Sequence, residues 1–299
     1  MLTAFALLAG FAGRFHGAGD TFALARPLFV PILALLSLIA FAVRPRLLGA
    51  IGLALAVSAA VSLVPPTPVA SVADDARRYT VYQKNLLWGL QDVAPVFEDI
   101  ESSDADFVML QEVHPRNRPL LERLRGTYPH QHFCPVATKA GGIAVLSRVP
   151  PTEVGPVCEQ YSRMAALQIA TPDGPLWVVS LHLYWPFPFA QPRQLERMLP
   201  MLEALDGPVV LGGDFNIVSW TYAANAVERA TQTTNAGYAG GTFEFQYDRW
   251  GRNLLHLMPK IPIDHILVPE TGAALTLTRR PLLGSDHHGL VATFAMAPR

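Results

Sequence analysis

Charge is scarce in this 299-residue chain: Asp, Glu, Lys and Arg make up 16%, against about 25% in an average soluble protein. Neither sign is in useful excess. Of 23 basic and 24 acidic side chains, the first 75 residues hold four (Arg14, Arg26, Arg44, Arg46) and three (Asp20, Asp74, Asp75), leaving 19 against 21 and a net of −2. That balance excludes a domain whose affinity rests mainly on long-range attraction to polyanions, although a local basic patch stays open. Cysteine is nearly absent. Cys134 and Cys158 stand alone, without the company a zinc site needs. They are either two buried thiols or, outside the cytoplasm, one disulfide, and the sequence does not choose. No GxGxxG or GxxxxGK[ST] opens a helical segment, so nucleotide-binding loops of those types are unsupported. Repeats of fixed short period are missing too.

Hydrophobic residues reach 51% and are concentrated at the N-terminus. Leu28 to Val43 (LFVPILALLSLIAFAV) and Leu47 to Val64 (LLGAIGLALAVSAAVSLV) are uncharged over sixteen and eighteen residues, with Arg44-Pro45-Arg46 between them. As helices they reach about 24 and 27 Å, close to a bilayer core of roughly 30 Å. A membrane hairpin is the natural reading. A signal peptide would be one short segment near residue 1, and a soluble core helix would show a polar face, which neither run has. Met1 to Gly13 is apolar but only about 20 Å long, which leaves two spans or three open. Two arginines in the connector, and no basic residue after Val64 before Arg77, put Arg44 and Arg46 on the cytoplasmic side and the C-terminal domain on the opposite face. PPTPVASVADD (65–75) reads as a proline-rich tether. The expected organisation is a membrane region over 1–64, a linker over 65–75 and a domain over 76–299.

From Tyr79 onward, short β-rich runs alternate with amphipathic segments. Strands are predicted at 79–85, 106–112, 141–148, 163–170, 176–183, 208–214, 263–268, 274–279 and 290–295, and helices at 90–100, 116–125 and 191–204. Pro172-Asp173-Gly174 marks a hairpin. Helices interrupt strands early and hairpins dominate later, which implies an α+β layered domain, with sheets face to face and helices outside.

Polar residues gather where these runs end. Asn85 closes YQKN, Glu112 closes LQE, His182 lies in SLHL, Asp214 and Asn216 in GDFN, Asp264 in IDHIL, and Asp286 and His287 in SDHHGLV. Singly each has a bland explanation: an Asx cap for Asp214, a solvated Glu112, a core histidine for His182. Their joint occurrence delivers carboxylates, amides and imidazoles to sites that could converge.

These six motifs, in this order over about residues 76–299, resemble the endonuclease/exonuclease/phosphatase family, the fold of deoxyribonuclease I. The apolar N-terminus also resembles that of its membrane-anchored bacterial members. The resemblance implies a four-layer α/β/β/α sandwich and hydrolysis of a phosphoester by in-line attack of water, with Mg²⁺ or Mn²⁺ as cofactor. It assigns Glu112, Asn85 and Asp286 to the metal. Asp214 would activate the water, and Asn216 would donate to a phosphate oxygen. His287, oriented by Asp264, would contact the phosphate, with His182 near the leaving group. Alternation along a strand would put Asp214 and Asn216 on one side. His265 and His288 are bystanders, and His114 has no role. Arg148 in LSRVP resembles a recurrent arginine of the family.

A hard cation prefers oxygen ligands, so the proposed set is chemically sensible. Family membership does not choose among nucleic acid, a phospholipid headgroup and a small phosphodiester. The expected partners are that phosphoester and the membrane, and no protein partner is inferred. The expected location is the bacterial inner membrane, with the domain periplasmic or extracellular. A phosphodiesterase or nuclease is the leading reading, a phosphomonoesterase or headgroup hydrolase the alternative, and a non-catalytic scaffold a third. YWPFPF (184–189) is either ordinary loop packing or a surface for bases or lipid, and 223–250 is either a substrate loop or a connection.

Overall fold

The computed structural model describes residues 1–43, 46–64, 76–136, 139–161, 163–245 and 259–296. Two six-stranded sheets face each other. The first comprises β1 (Arg78–Asn85), β2 (Phe107–Val113), β3 (His130–Cys134), β4 (Gly142–Ser147), β11 (Gly272–Arg279) and β12 (Leu290–Met296). The second comprises β5 (Val157–Glu159), β6 (Met164–Thr171), β7 (Gly174–His182), β8 (Val209–Asp214), β9 (Thr233–Asn235) and β10 (Asp264–Pro269). Their orders are β11-β12-β1-β2-β4-β3 and β5-β6-β7-β8-β10-β9. In each, the central pair (β1 with β2, β7 with β8) is parallel while the other neighbours are antiparallel.

Strand alternation sends Val81, Phe107, Met109 and Val145 inward against Leu167, Val178, Val210 and Ile266, closing a core between the sheets. The outer faces are covered by helices. Val96 and Ile100 of α5 (Ala94–Ser103) and Leu120 of α6 (Pro119–Arg123) pack on Tyr82, Val108 and Leu110. Leu195 and Met198 of α7 (Gln191–Glu203) and Val227 of α8 (Tyr222–Thr231) pack on Val179 and Leu211. The result is the α/β/β/α sandwich read from the sequence.

The differences are local. Helix α5 starts at Ala94 rather than Leu90, because Pro95 occupies its first turn and the Asp92 carboxylate takes the Ala94 N–H at 3.1 Å. Helix α6 likewise waits for Pro119. Strands β3, β5 and β9 and helix α8 were not anticipated. β5 and β9 are three residues each, and β3 (HQHFC) is polar and half-buried, so their pairing partners rather than their composition create them. Cys134 in β3 and Cys158 in β5 are disulfide-bonded with Cα atoms 5.3 Å apart. The bond joins edge strands of the two sheets.

Among the described residues, four helices precede the domain: α1 (Leu2–Ala9), α2 (Ala18–Leu24), α3 (Arg26–Val43) and α4 (Arg46–Val61). Helix α3 has 18 residues, a mean hydropathy of 2.2 and only 17% of its length buried, so it is long and apolar enough to cross a membrane. Helix α4 is apolar over 16 residues and packs on α3 at small residues: a Cβ on Gly49 would lie 2.6 Å from Phe41 N. Helix α1 is eight residues, about 12 Å long. Arg44, on which the orientation argument partly rests, and the tether 65–75 lie outside the described residues.

Candidate active site

Both parallel pairs point their C-terminal ends the same way, and the polar residues sit there. Asn85 ends β1, His182 ends β7 and Asp214 ends β8, with His182 directly opposite Asp214 in register. Strand β10 runs antiparallel to β8, so its first residue, Asp264, pairs with Asp214 at the same end. The pairing of β2 with β4 slips between Leu110 and Val113, and Glu112 has φ 56. A non-glycine residue in the left-handed region is uncommon and here turns the carboxylate towards Asn85.

The side chains form one connected set. Asn85 Nδ2 donates to Asp214 Oδ2 at 3.0 Å and to Glu112 Oε1 at 3.3 Å. Glu112 Oε2 accepts from the Trp88 N–H at 2.8 Å. His182 Nε2 lies 3.4 Å from Asp214 Oδ2 and 4.0 Å from Glu112 Oε1. His287 shares a hydrogen bond between Nδ1 and Asp264 Oδ2 at 2.8 Å, while its Nε2 is 3.6 Å from Asp214 Oδ2.

Asn216 corrects the alternation argument. The strand ends at Asp214, and Asn216 has φ 51. The pair meets through a turn: Asn216 N–H donates to Asp214 Oδ1 at 2.8 Å, and Nδ2 donates to Leu183 O at 2.8 Å and Asp214 Oδ2 at 3.2 Å. The bland Asx-turn reading and the functional one describe the same geometry.

Electrostatics separates the roles. Burial opposes a charged His287, but the Asp264 and Asp214 carboxylates outweigh it and hold the ring proton up to about 10. Burial pushes Asp214 up to about 7, with His287 lowering it and Asp264 raising it. Asp264 would also rise by burial, yet His287 and hydrogen bonds from Thr242 and Gln83 keep it below the usual carboxylate range. The three therefore titrate as a unit in which Asp264 and His287 form the ion pair and Asp214 is poised. His182 goes the other way: burial, then the charge of Arg163, lowers its pKa well below the usual value, so it is a neutral ring.

Asp286 stands apart from the hydrogen-bonded set and acts through its charge. Burial first, and Asp286 last, raise the Glu112 pKa, against hydrogen bonds from Trp88 and Asn85 and the charge of His287. A divalent cation fits this donor chemistry. Glu112 and Asp214 are buried or nearly so, and their only ion-pair partners among the described residues are histidines rather than Lys or Arg. Asp214, Asp264 and His287 also bring one ligand atom each within 4.8 Å of one another. His287 Nδ1 is already engaged with Asp264, which favours the oxygen donors on the Glu112 and Asn85 side.

Several contributors carried no signal in the sequence. Gln83 Nε2 donates to Asp264 Oδ1 at 3.0 Å and to Gln111 Oε1 at 2.8 Å, and Gln111 Nε2 donates to Ser180 Oγ at 2.9 Å. This buried network between the sheets holds Asp264. Lys84 is fully buried, donates to His287 O at 2.9 Å, and has its pKa lowered by burial to about 8. Arg163 (φ 51) is buried, its Nε has no hydrogen-bond partner among the described residues, and its guanidinium is 3.9 Å from the centre of the Tyr184 ring.

His265 and His288 make structural contacts instead. His265 Nε2 lies 2.8 Å from Ile217 O, and His288 lies 2.7 Å from Arg280 O and 2.8 Å from Glu244 Oε1. Arg148 pairs with Asp104 beyond the opposite end of β2 and does not join the site.

A family model described as Endonuclease/Exonuclease/phosphatase family matches residues 82–287. Among solved structures, an endonuclease/exonuclease/phosphatase from Beutenbergia cavernae superposes with a TM-score of 0.59 at 20% identity, covering 74% of this chain and 72% of that one. One from Bacteroides vulgatus gives 0.57 at 15%, covering 74% and 100%. A beta toxin double mutant from Staphylococcus aureus with bound magnesium ions gives 0.54 at 13%, covering 74% and 100%. No curated protein matches the chain.

Proposed function

Because the chain belongs to the Endonuclease/Exonuclease/phosphatase family, whose members hydrolyse phosphoesters with divalent metals, we propose that it is a membrane-anchored, metal-dependent phosphodiesterase. The observation that carries this is the single connected set of Asn85, Glu112, His182, Asp214, Asp264 and His287, gathered at the end of the sandwich where the central parallel strands finish. A non-catalytic scaffold has no use for a buried, paired imidazolium beside a poised carboxylate.

The residues divide the work as follows. Glu112, Asn85 and Asp286 would hold Mg²⁺ or Mn²⁺, which supplies neutralisation of the phosphoryl oxygens. Asp214 takes the proton of the attacking water, a task suited to a carboxylate titrating near neutrality. His287, kept charged by Asp264, binds a phosphate oxygen through Nε2. Asn216 orients Asp214 and offers Nδ2 to the phosphate when substrate displaces the longer of its two contacts. His182, being neutral, serves the leaving oxygen as a hydrogen-bond donor.

The domain organisation proposed is 1–64 in the membrane, 65–75 as linker and 76–299 as catalytic domain, at the bacterial inner membrane. The disulfide supports a periplasmic or extracellular domain, since such bonds persist in oxidising compartments. The test is purified full chain in detergent with bis(p-nitrophenyl) phosphate and Mg²⁺, Mn²⁺ or chelator. Metal-dependent hydrolysis lost in Asp214→Ala is expected. Hydrolysis that survives both chelation and Asp214→Ala would sink the assignment.

A further inference from the structure

The helices before the domain are built into it rather than merely tethered. Asp20 in α2 accepts the Tyr222 N–H at 2.8 Å and the Ala223 N–H at 3.2 Å, so it caps α8 from 202 residues away. Trp220 Nε1 donates to Ala23 O at 2.8 Å, and Thr21 Oγ1 donates to Phe187 O at 2.6 Å. Arg26, the first residue of α3, donates to Ser62 Oγ just beyond α4 at 3.0 Å and to Trp220 O at 3.4 Å. The end of the apolar hairpin and the catalytic domain are therefore joined by hydrogen bonds at one level.

This junction lies beside the catalytic set. Leu24 and Trp220 pack on the cluster around Phe243, whose ring is 4.9 Å from that of His287 and 5.8 Å from that of Trp185. Trp185 belongs to the loop that leaves His182 and reaches α2 through Phe187. The same face exposes Phe15 at 86%, Phe187 at 40% and Phe189 at 64%. A cavity of about 650 Å³ opens among these rings and α7, with Arg14, Arg193 and Glu196 on its walls. Exposed phenylalanine rings with arginines close by, at the end of an apolar helical hairpin, suit insertion into a bilayer interface.

We propose that the catalytic site is held at the bilayer surface by α2 and acts on phosphodiesters borne by membrane lipids. The proposal rests on the phosphodiesterase reading and on α3 and α4 as a membrane hairpin. The water oxygen bonds to phosphorus as one P–O ester bond breaks, the water's proton passes to Asp214, which returns it to solvent, and the departing oxygen takes one proton from solvent beside the hydrogen bond that His182 donates. The products are an alcohol and a phosphomonoester, one of which stays in the bilayer. Phe15, Phe187 and Phe189 seat the domain in the headgroup layer, where a lipid phosphate reaches His287 without leaving the membrane.

The experiment uses full chain reconstituted in vesicles of phosphatidylcholine, phosphatidylethanolamine and phosphatidylglycerol with Mg²⁺, with bis(p-nitrophenyl) phosphate as a soluble comparison. Wild type should hydrolyse vesicle lipid. The Phe15→Ser/Phe189→Ser variant should lose about tenfold on lipid, the worth of withdrawing two half-inserted rings, and keep its rate on the soluble diester. Hydrolysis of the soluble diester without hydrolysis of lipid, or equal lipid rates for the two proteins, overturns this proposal and leaves the phosphodiesterase reading intact. Inactivity on both substrates overturns the phosphodiesterase reading itself.

Discussion

Asp264 and His287 come from separate motifs 23 residues apart and meet with Oδ2 and Nδ1 at 2.8 Å, both buried. The carboxylate fixes which face of the imidazole looks at Asp214 and keeps the ring charged. Asp264→Asn keeps the shape and removes that charge. The rate on bis(p-nitrophenyl) phosphate should fall about a thousandfold with the far-UV spectrum unchanged, as expected when an orienting carboxylate is neutralised. An unchanged kcat would remove Asp264 from the mechanism.

Asp214, the base in the proposed mechanism, is pushed up to about 7 by burial. A base must be deprotonated, so the rate should rise with pH through about 7 at low Mg²⁺. Raising Mg²⁺ should move that midpoint to lower pH, because a nearby cation favours the carboxylate. Rate profiles at two Mg²⁺ concentrations check this, and a midpoint indifferent to Mg²⁺ would place the ion away from Asp214.

Glu112 is the carboxylate assigned to the ion. Glu112→Gln keeps an oxygen donor but removes the charge, so the Mg²⁺ concentration for half-maximal rate should rise about tenfold or more. Chelator should abolish the rate while leaving the fold. Equal Mg²⁺ activation curves for the two proteins would contradict the assignment.

Glu228 in α8 provides a stability test away from the site. Burial, then the Glu270 charge against that of Arg229, raises its pKa from 4.5 to about 7. Between those values the native state holds the proton more tightly than the unfolded chain, so stability falls as pH rises through the window. Glu228→Gln should therefore stabilise by about 1–3 kcal/mol at pH 8, allowing for partial exposure, and change little near pH 4. Thermal melts at the two pH values decide it.

Cys134 and Cys158 close a loop with a sequence separation of 24. Opening it by Cys158→Ser should cost about 3 kcal/mol and lower the melting temperature in the absence of any reductant. Reductant should do the same to wild type and nothing further to the variant. Identical melts would mean that the edge strands hold each other without the bond.

The layers of the fold were legible because short apolar runs such as LWVVSLHL are a local property, and a strand buried on both faces shows a near-continuous run. Elements β3, β5, β9 and α8 were not legible, since each depends on a neighbour: α8 takes part of its N-terminal capping from Asp20, far away in the chain. Among site residues, Asn85, Glu112, His182 and Asp214 were visible as polar groups terminating apolar strands. Gln83, Gln111 and Lys84 were not, because a polar residue within a strand looks the same whether it meets water or a buried partner.

Chain order and residue type alone determined that carboxylates, amides and imidazoles end the strands, and that an apolar hairpin precedes them. Only the tertiary structure decided how they meet. Asn216 reaches Asp214 through a left-handed turn instead of strand alternation, the pairing of two sheets brings Gln83 to Asp264, and the helices before the domain dock beside Phe243 and His287. Those outcomes depend on contacts between residues far apart in the chain. Local propensity does not encode them, and burial at close range turns them into charge states and a surface.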